Sequence, residues 1–150
     1  MARNSRIILG LNSGTSADGV DAVACEIRGR GLDMRVKVLG HLHRAYSREL
    51  RERLLSVMAP ASTRTEELCR IEVEVGRAFA RAAGDLVKRL GLRRVSLIGS
   101  HGQTICHLPP GHAGGSALGH AAVPSTLQIG DASVIAAAMG CPVVHRFRQA

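Results

Sequence analysis

Tryptophan is absent and aromatic residues are scarce: Tyr46, Phe79 and Phe147 are the only ones in 150 residues. So few rings cannot furnish a base-stacking platform for single-stranded nucleic acid. Lysine is scarce too. Lys37 and Lys88 are the only two, although Lys and Arg together number 20 against 12 acidic residues. The positive excess is carried by arginines scattered from Arg3 to Arg148, with no tight basic block. An Arg-biased solvated surface with affinity for anions fits this better than a nucleic-acid interface. No two of Cys25, Cys69, Cys106 and Cys141 stand at C-x-x-C spacing, so neither a zinc site nor a redox motif is signalled. Scattered thiols read as reduced core residues of an intracellular protein. No apolar run reaches the length of a membrane span, and Ile7–Leu11 is too short for the apolar core of a signal peptide. A cytoplasmic protein without a membrane partner is the expectation. A G-x-S-x-G elbow is also missing, which leaves a Ser–His–Asp hydrolase unsupported.

What is present is a hydrophobic content of 45% at a mean hydropathy of +0.08. Both suit one globular domain with a real core. Ile7–Leu11 is a short apolar run, Val20–Ile27 a second, and Met34, Val36 and Val38 alternate with Arg35 and Lys37. Tight connections between them predict a three-stranded antiparallel meander. Ser47 caps a helix with apolar positions Leu50, Leu54, Val57 and Met58, stopped by Pro60. Thr63 and Glu66 have capping-box spacing. Leu68, Ile71, Val75, Phe79, Ala82, Leu86 and Leu90 then recur at steps of three or four, a long helical stripe that Gly91 ends. Arg94–Ser100 reads as a buried strand with a polar, turn-rich continuation. Residues 112–125 read as a Gly/Ala-rich loop. Ser125–Asp131 reads as a strand, the segment after it as a helix closed by Gly140, and the stretch from Cys141 as a further strand. The order predicts an α/β domain whose meander precedes helix-linked strands in a mixed sheet.

Three stretches carry candidate chemistry. Gly14-x-x-x-x-Gly19 has the glycine spacing of a P-loop, but Val20-Asp21 follows where Lys-Ser/Thr is required. Here the loop turns a strand back into a strand. Its glycines, with Thr15 and Ser16, suit backbone and hydroxyl contacts to phosphate. Asp18 and Asp21 offer oxygen ligands to Mg²⁺. An ordinary hairpin built from the same turn formers is the alternative. Gly99–Thr104 is expected at the carboxyl end of a strand, where open α/β sheets place ligands. Ser100, His101, Gln103 and Thr104 suit a polar substrate such as a sugar; a capped turn with a surface histidine is the alternative. Asp131 reads most simply as a helix N-cap, or else as a contact to substrate or metal. His41 and His43 share a strand face but lack an evident third ligand.

Together, "LGLNSGTSADGVDAV", "IGSHGQTICHLP" and "TLQIGDASVIAAAMGCPVV" resemble the N-terminal lobe of the anhydro-N-acetylmuramic acid kinase family. The resemblance spans nearly the whole chain. It implies a ribonuclease H-like lobe of the sugar kinase/Hsp70/actin superfamily. It implies ATP- and Mg²⁺-dependent opening of the 1,6-anhydro ring with phosphorylation at the sugar's 6-oxygen, in cell-wall recycling. By resemblance, Gly14, Thr15, Ser16, Ala17, Asp18, Gly19, Val20 and Asp21 match the family's ATP phosphate-binding segment. Ser100, His101, Gln103, Thr104 and Asp131 fall in stretches near the sugar. Asn12 stands where the family usually has Met, Ala17 where a larger apolar residue is common, and Arg146 where an aspartate is usual. Family members are more than twice this length. The resemblance therefore implies a truncated lobe, inactive alone, with the second lobe and the general base outside these 150 residues. It is compatible with a homodimer for the full-length protein. A ribonuclease H-like nuclease or nucleic-acid binder, using Asp18, Asp21 and Asp131 on two metals, is the competing expectation.

Overall fold

Strands and helices follow the predicted order. The computed structural model describes residues 5–59, 63–109 and 123–148. Strands β1 (Arg6–Ser13), β2 (Gly19–Arg28) and β3 (Arg35–Ala45) form the antiparallel meander, with a single 3₁₀ turn at Gly31–Asp33 between the last two. Helices α1 (Arg48–Met58) and α2 (Thr65–Arg89) lead to β4 (Leu97–Leu108). Then come β5 (Ser125–Ile129), α3 (Ala132–Met139) and β6 (Val143–His145). The sheet order is β3-β2-β1-β4-β5, and β6 also pairs with β4. The β1–β4 and β4–β6 pairings are parallel and β4–β5 is antiparallel, so the sheet is mixed. Most of the Gly/Ala-rich segment expected at 112–125 lies outside the described residues.

One phase of the strands builds the core. Leu9 and Leu11 of β1, Ala22 and Ala24 of β2 and Ile98 of β4 are buried against Ile71, Val75, Phe79, Ala82 and Leu86 of α2. These α2 residues recur on one stripe of a helix about 37 Å long. Burying each large apolar side chain contributes roughly 1.5–3 kcal/mol. On the opposite phase Ile8, Gly10 and Val23 are only half-buried, and Val36 and Val38 are 55% and 61% exposed. A side chain is missing at Gly76 for a steric reason. A Cβ there would stand 2.8 Å from the Asp131 carbonyl oxygen, where α2 meets the start of α3.

Three sequence expectations need correction. Helix α2 starts at Thr65, its N-cap is Arg64, and no side chain caps it. Thr63 therefore lies outside the helix. Glu67, which occupies the capping-box position relative to Arg64, is drawn instead to Arg53 of α1 at 2.6 Å. Strand β4 does not stop at Ser100. It runs on to Leu108 because β5 pairs with its second half from Gln103 to Leu108. Gly102, at φ +80°, bends the strand rather than ending it, and a Cβ there would lie 2.7 Å from the Ile129 carbonyl oxygen. The cysteines are free thiols as expected but are not buried in the core: Cys69 and Cys106 are exposed, Cys25 is half-buried, and half-buried Cys141 packs against the core's edge.

Candidate functional site

At the end of β1 the chain makes a tight turn before returning as β2. Ala17 N–H donates to the Gly14 carbonyl at 3.3 Å. Ala17 takes a left-handed φ of 49° and its methyl is fully buried, which anchors the turn in the core. Tyr46 N–H donates to the Asp18 carbonyl at 3.0 Å, tying the turn to the end of β3. Thr15 and Ser16 are exposed, and their backbone N–H groups form no hydrogen bond among the described residues. Two unengaged donors on a fixed turn make a concavity suited to an anion.

The turn rests on a buried polar cluster. Gln103 of β4 is fully buried beneath it. Its Nε2 donates to the Gly14 carbonyl at 2.8 Å and the Thr104 carbonyl at 3.0 Å. Its Oε1 accepts from the Tyr46 hydroxyl at 3.2 Å and the Ser13 hydroxyl at 2.7 Å. The Ser13 hydroxyl also lies 2.5 Å from the Gly19 carbonyl. Both donors and both acceptor positions of the amide are thus used. Burial raises the Tyr46 phenol well above its ordinary value, opposed by the Ser13 contact.

The carboxylates differ in setting. Asp18 is exposed and accepts from the Ser16 hydroxyl at 2.9 Å. That bond, with its own backbone N–H, lowers the Asp18 carboxyl below its usual range, so it is ionised at neutral pH. Asp21, on the open face of β2, sits 2.9 Å from His43 Nδ1 on β3. Among the described residues no group of three or more His, Cys, Asp or Glu side chains can hold a metal. Asp18, Asp21 and Asp131 therefore do not converge as a two-metal nuclease centre requires. Mg²⁺ bound mainly by water and substrate phosphates needs only one or two carboxylates, and an ionised Asp18 beside free N–H donors fits that demand.

The stretch around β4 divides between two faces. Ser100, Gln103 and Thr104 are buried, and the Ser100 hydroxyl has no hydrogen-bond partner among the described residues. His101 faces the open side. It lines a cleft of about 330 Å³ with Asn12, Asp21 and His41, floored by Gly10, Val23 and Gly99. Phe147 closes one side, its ring centroid 6.2 Å from that of His101, and Arg148 Nη1 reaches within 3.4 Å of His101 Nε2. Arg146, between β6 and this pair, is exposed at φ 58°. The structure thus brings Asp21 of the turn and His101 of the second stretch into one cleft. Asp131 lies elsewhere, as the N-cap of α3. Its Oδ1 accepts from Ser133 N at 2.8 Å, from the Ser133 hydroxyl at 2.5 Å and from Val134 N at 3.4 Å. The Ser133 hydroxyl leads in lowering its carboxyl below the usual range, and burial opposes this.

Ser13 and Tyr46 were missing from the sequence-based candidates. Strand alternation offers the clue for Ser13: it shares the core phase of Leu9 and Leu11, where a polar side chain needs a partner. For Tyr46 the sequence holds no such clue, because its partner lies 57 residues away.

The model of the family described as anhydro-N-acetylmuramic acid kinase matches residues 6–150. The chain belongs to that family. Among curated relatives, the anhydro-N-acetylmuramic acid kinase of Caldanaerobacter subterraneus is 39% identical over 148 residues, covering 97% of this chain and 36% of the relative. That of Trichormus variabilis is 42% identical over 143 residues, covering 95% and 35%. That of Salinibacter ruber is 36% identical over 151 residues, covering 99% and 37%. The chain therefore spans little more than a third of the length of these anhydro-N-acetylmuramic acid kinases. The buttressed turn and the His101 cleft both lie within the matched residues.

Proposed function

We propose that these residues form the phosphate-binding lobe of an ATP-dependent kinase of 1,6-anhydro-N-acetylmuramic acid. The reaction opens the anhydro ring and yields the 6-phosphate used in cell-wall recycling. The observation that carries the reading is the turn itself, whose free Thr15 and Ser16 N–H groups stand on a fully satisfied buried amide. Preorganised donors of this kind stabilise charge on a transferring phosphoryl group without reorganising.

Gly14 to Asp21 grip the ATP phosphates, with Ala17 and Val20 holding the segment from the core. Asp18, with Asp21, would hold Mg²⁺, which would supply positive charge to offset that of the phosphates. The sugar enters the cleft on the His101 side. Ser100, Gln103 and Thr104 act from behind, shaping the strand that carries His101, while Asp131 caps α3 away from the cleft. The meander and the parallel β1–β4–β6 arrangement support a ribonuclease H-like lobe of the actin-like superfamily. None of these residues is assigned the role of general base or of an adenosine pocket. Alone, the 150-residue chain turns over substrate far below family rates, because one lobe cannot enclose ATP and exclude water.

A chimera tests this. The matching third of the Caldanaerobacter kinase is replaced by this chain, and conversion of the anhydro-sugar is followed with ATP and Mg²⁺. Turnover that Asp18→Asn or Gly14→Val abolishes is expected. A folded chimera, with helix content and melting intact, that converts no sugar overturns the reading.

A further inference from the structure

At the end of the sheet away from the turn, five guanidinium side chains meet in one cavity of about 1320 Å³. Arg6 comes from the start of β1, Arg28 from the end of β2, Arg30 from the following turn, Arg35 from the start of β3 and Arg94 from the segment before β4. Among the described residues Asp33 is the only carboxylate lining it. Arg6 Nη2 is spent on the Gly29 carbonyl at 2.7 Å, and Arg28 Nη2 on Glu26 Oε1 at 2.9 Å. The guanidinium groups of Arg30, Arg35 and Arg94 form no hydrogen bond or ion pair among the described residues.

The cavity wall is a shaped turn. Gly29 has φ +78°, and a Cβ there would stand 2.5 Å from the Asp33 carbonyl oxygen. Asp33 N–H and Met34 N–H close the turn on the carbonyls of Arg30 and Gly31, each at 3.2 Å. Like charges gathered from five segments repel, and an anion bound among them removes that repulsion. Guanidinium forks match phosphate oxygens two at a time.

We propose that this cavity binds a compact, multiply charged phosphate compound, of the polyphosphate class, at a site separate from the turn after β1. Two observations favour a small polyphosphate over nucleic acid. The arginines converge on a hollow instead of tracking a line, and no aromatic side chain lines it for stacking. Among the described residues its apolar lining is limited to Ile7, Leu32 and Met34, of which Ile7 is half-buried, and no α-helix contributes to it, which disfavours an anionic bilayer.

The proposal stands independently of the kinase reading. Inorganic tripolyphosphate is titrated into the ¹⁵N-labelled chain at about 150 mM salt, where surface charge is screened beyond about 8 Å. Saturable amide shifts at Gly29, Arg30, Arg35, Arg94 and Ser96 are expected. Arg30→Gln/Arg94→Gln should weaken that binding at least tenfold while the melting temperature is unchanged. Shifts confined to residues 14–21, or failure to saturate, overturn the proposal. So does binding to phosphatidylglycerol vesicles, lost in the same double variant, with no response to tripolyphosphate.

Discussion

Replacing Gln103 with leucine removes the buried amide beneath the turn while keeping most of its volume. Four hydrogen bonds disappear: those to Gly14 O, Thr104 O, Ser13 Oγ and Tyr46 Oη. Their losses are unequal. Ser13 keeps the Gly19 carbonyl, and Gly14 O keeps the Ala17 N–H and lies on an exposed residue that water can reach. The buried Tyr46 hydroxyl and Thr104 carbonyl are left without this partner, each at about 1–2 kcal/mol. The expected destabilisation is therefore about 2–4 kcal/mol in urea unfolding, with an unchanged slope. Tyr46→Phe alone removes one bond and costs about 1 kcal/mol. In the Gln103→Leu background the same change costs clearly less, because the hydroxyl has already lost its Gln103 acceptor. This coupling separates a shared network from two independent packing defects. Exchange of the Ala17 amide should also quicken. A Gln103→Leu protein within about 0.5 kcal/mol of the parent, or additive effects of the two changes, refutes the reasoning.

Three further predictions concern other parts of the fold. Gly76→Ala pushes a methyl to 2.8 Å from the Asp131 carbonyl and 3.0 Å from its nitrogen, so a loss of about 1–3 kcal/mol is expected by thermal melting, and an unchanged melt contradicts the α2–α3 contact. Asp131→Ala removes the α3 cap at a cost of about 1 kcal/mol near neutral pH. Because the folded Asp131 carboxyl titrates below its unfolded value, its contribution is full above about pH 4 and fades as pH falls through the depressed folded value. Acid unfolding should therefore be shallower in the Asp131→Ala chain; an identical acid limb contradicts the cap's electrostatics. Tyr46 is the only tyrosine and no tryptophan interferes, so phenolate absorbance reports it alone. Its burial-raised value keeps it protonated past pH 10, and stability falls as pH rises above the unfolded value of about 10. Absorbance near 295 nm should stay flat until alkaline unfolding, and a transition near pH 10 in folded protein contradicts its burial.

The elements were legible because their signals are local. The α2 stripe, the Ser47, Asp131 and Gly140 caps, and the alternation in β3 each depend on neighbours a few residues away. What failed depended on distant partners. The second half of β4 reads as a turn because Gly102 and the polar residues around it lack local strand character. It is a strand because β5 supplies the ladder. Thr63 has cap chemistry, but the helix begins one residue later, with Arg64 as N-cap, where Glu67 is committed to Arg53 across a helix pair. The candidate site divides the same way. The glycine turn is visible in the sequence, whereas the Ser13–Gln103–Tyr46 cluster beneath it joins residues separated by 90 and 57 positions. The arginine cavity was hidden too, since its five side chains look scattered along the chain and meet only in the folded sheet.

The turn's grip on phosphate is tested most directly by titrating Mg²⁺-ATP into the ¹⁵N-labelled chain and following the amides of Thr15 and Ser16. Free donors on a buttressed turn predict saturable downfield shifts of both, abolished by Gly14→Val. Unmoved Thr15 and Ser16 amides at millimolar ATP, with the fold intact, contradict it.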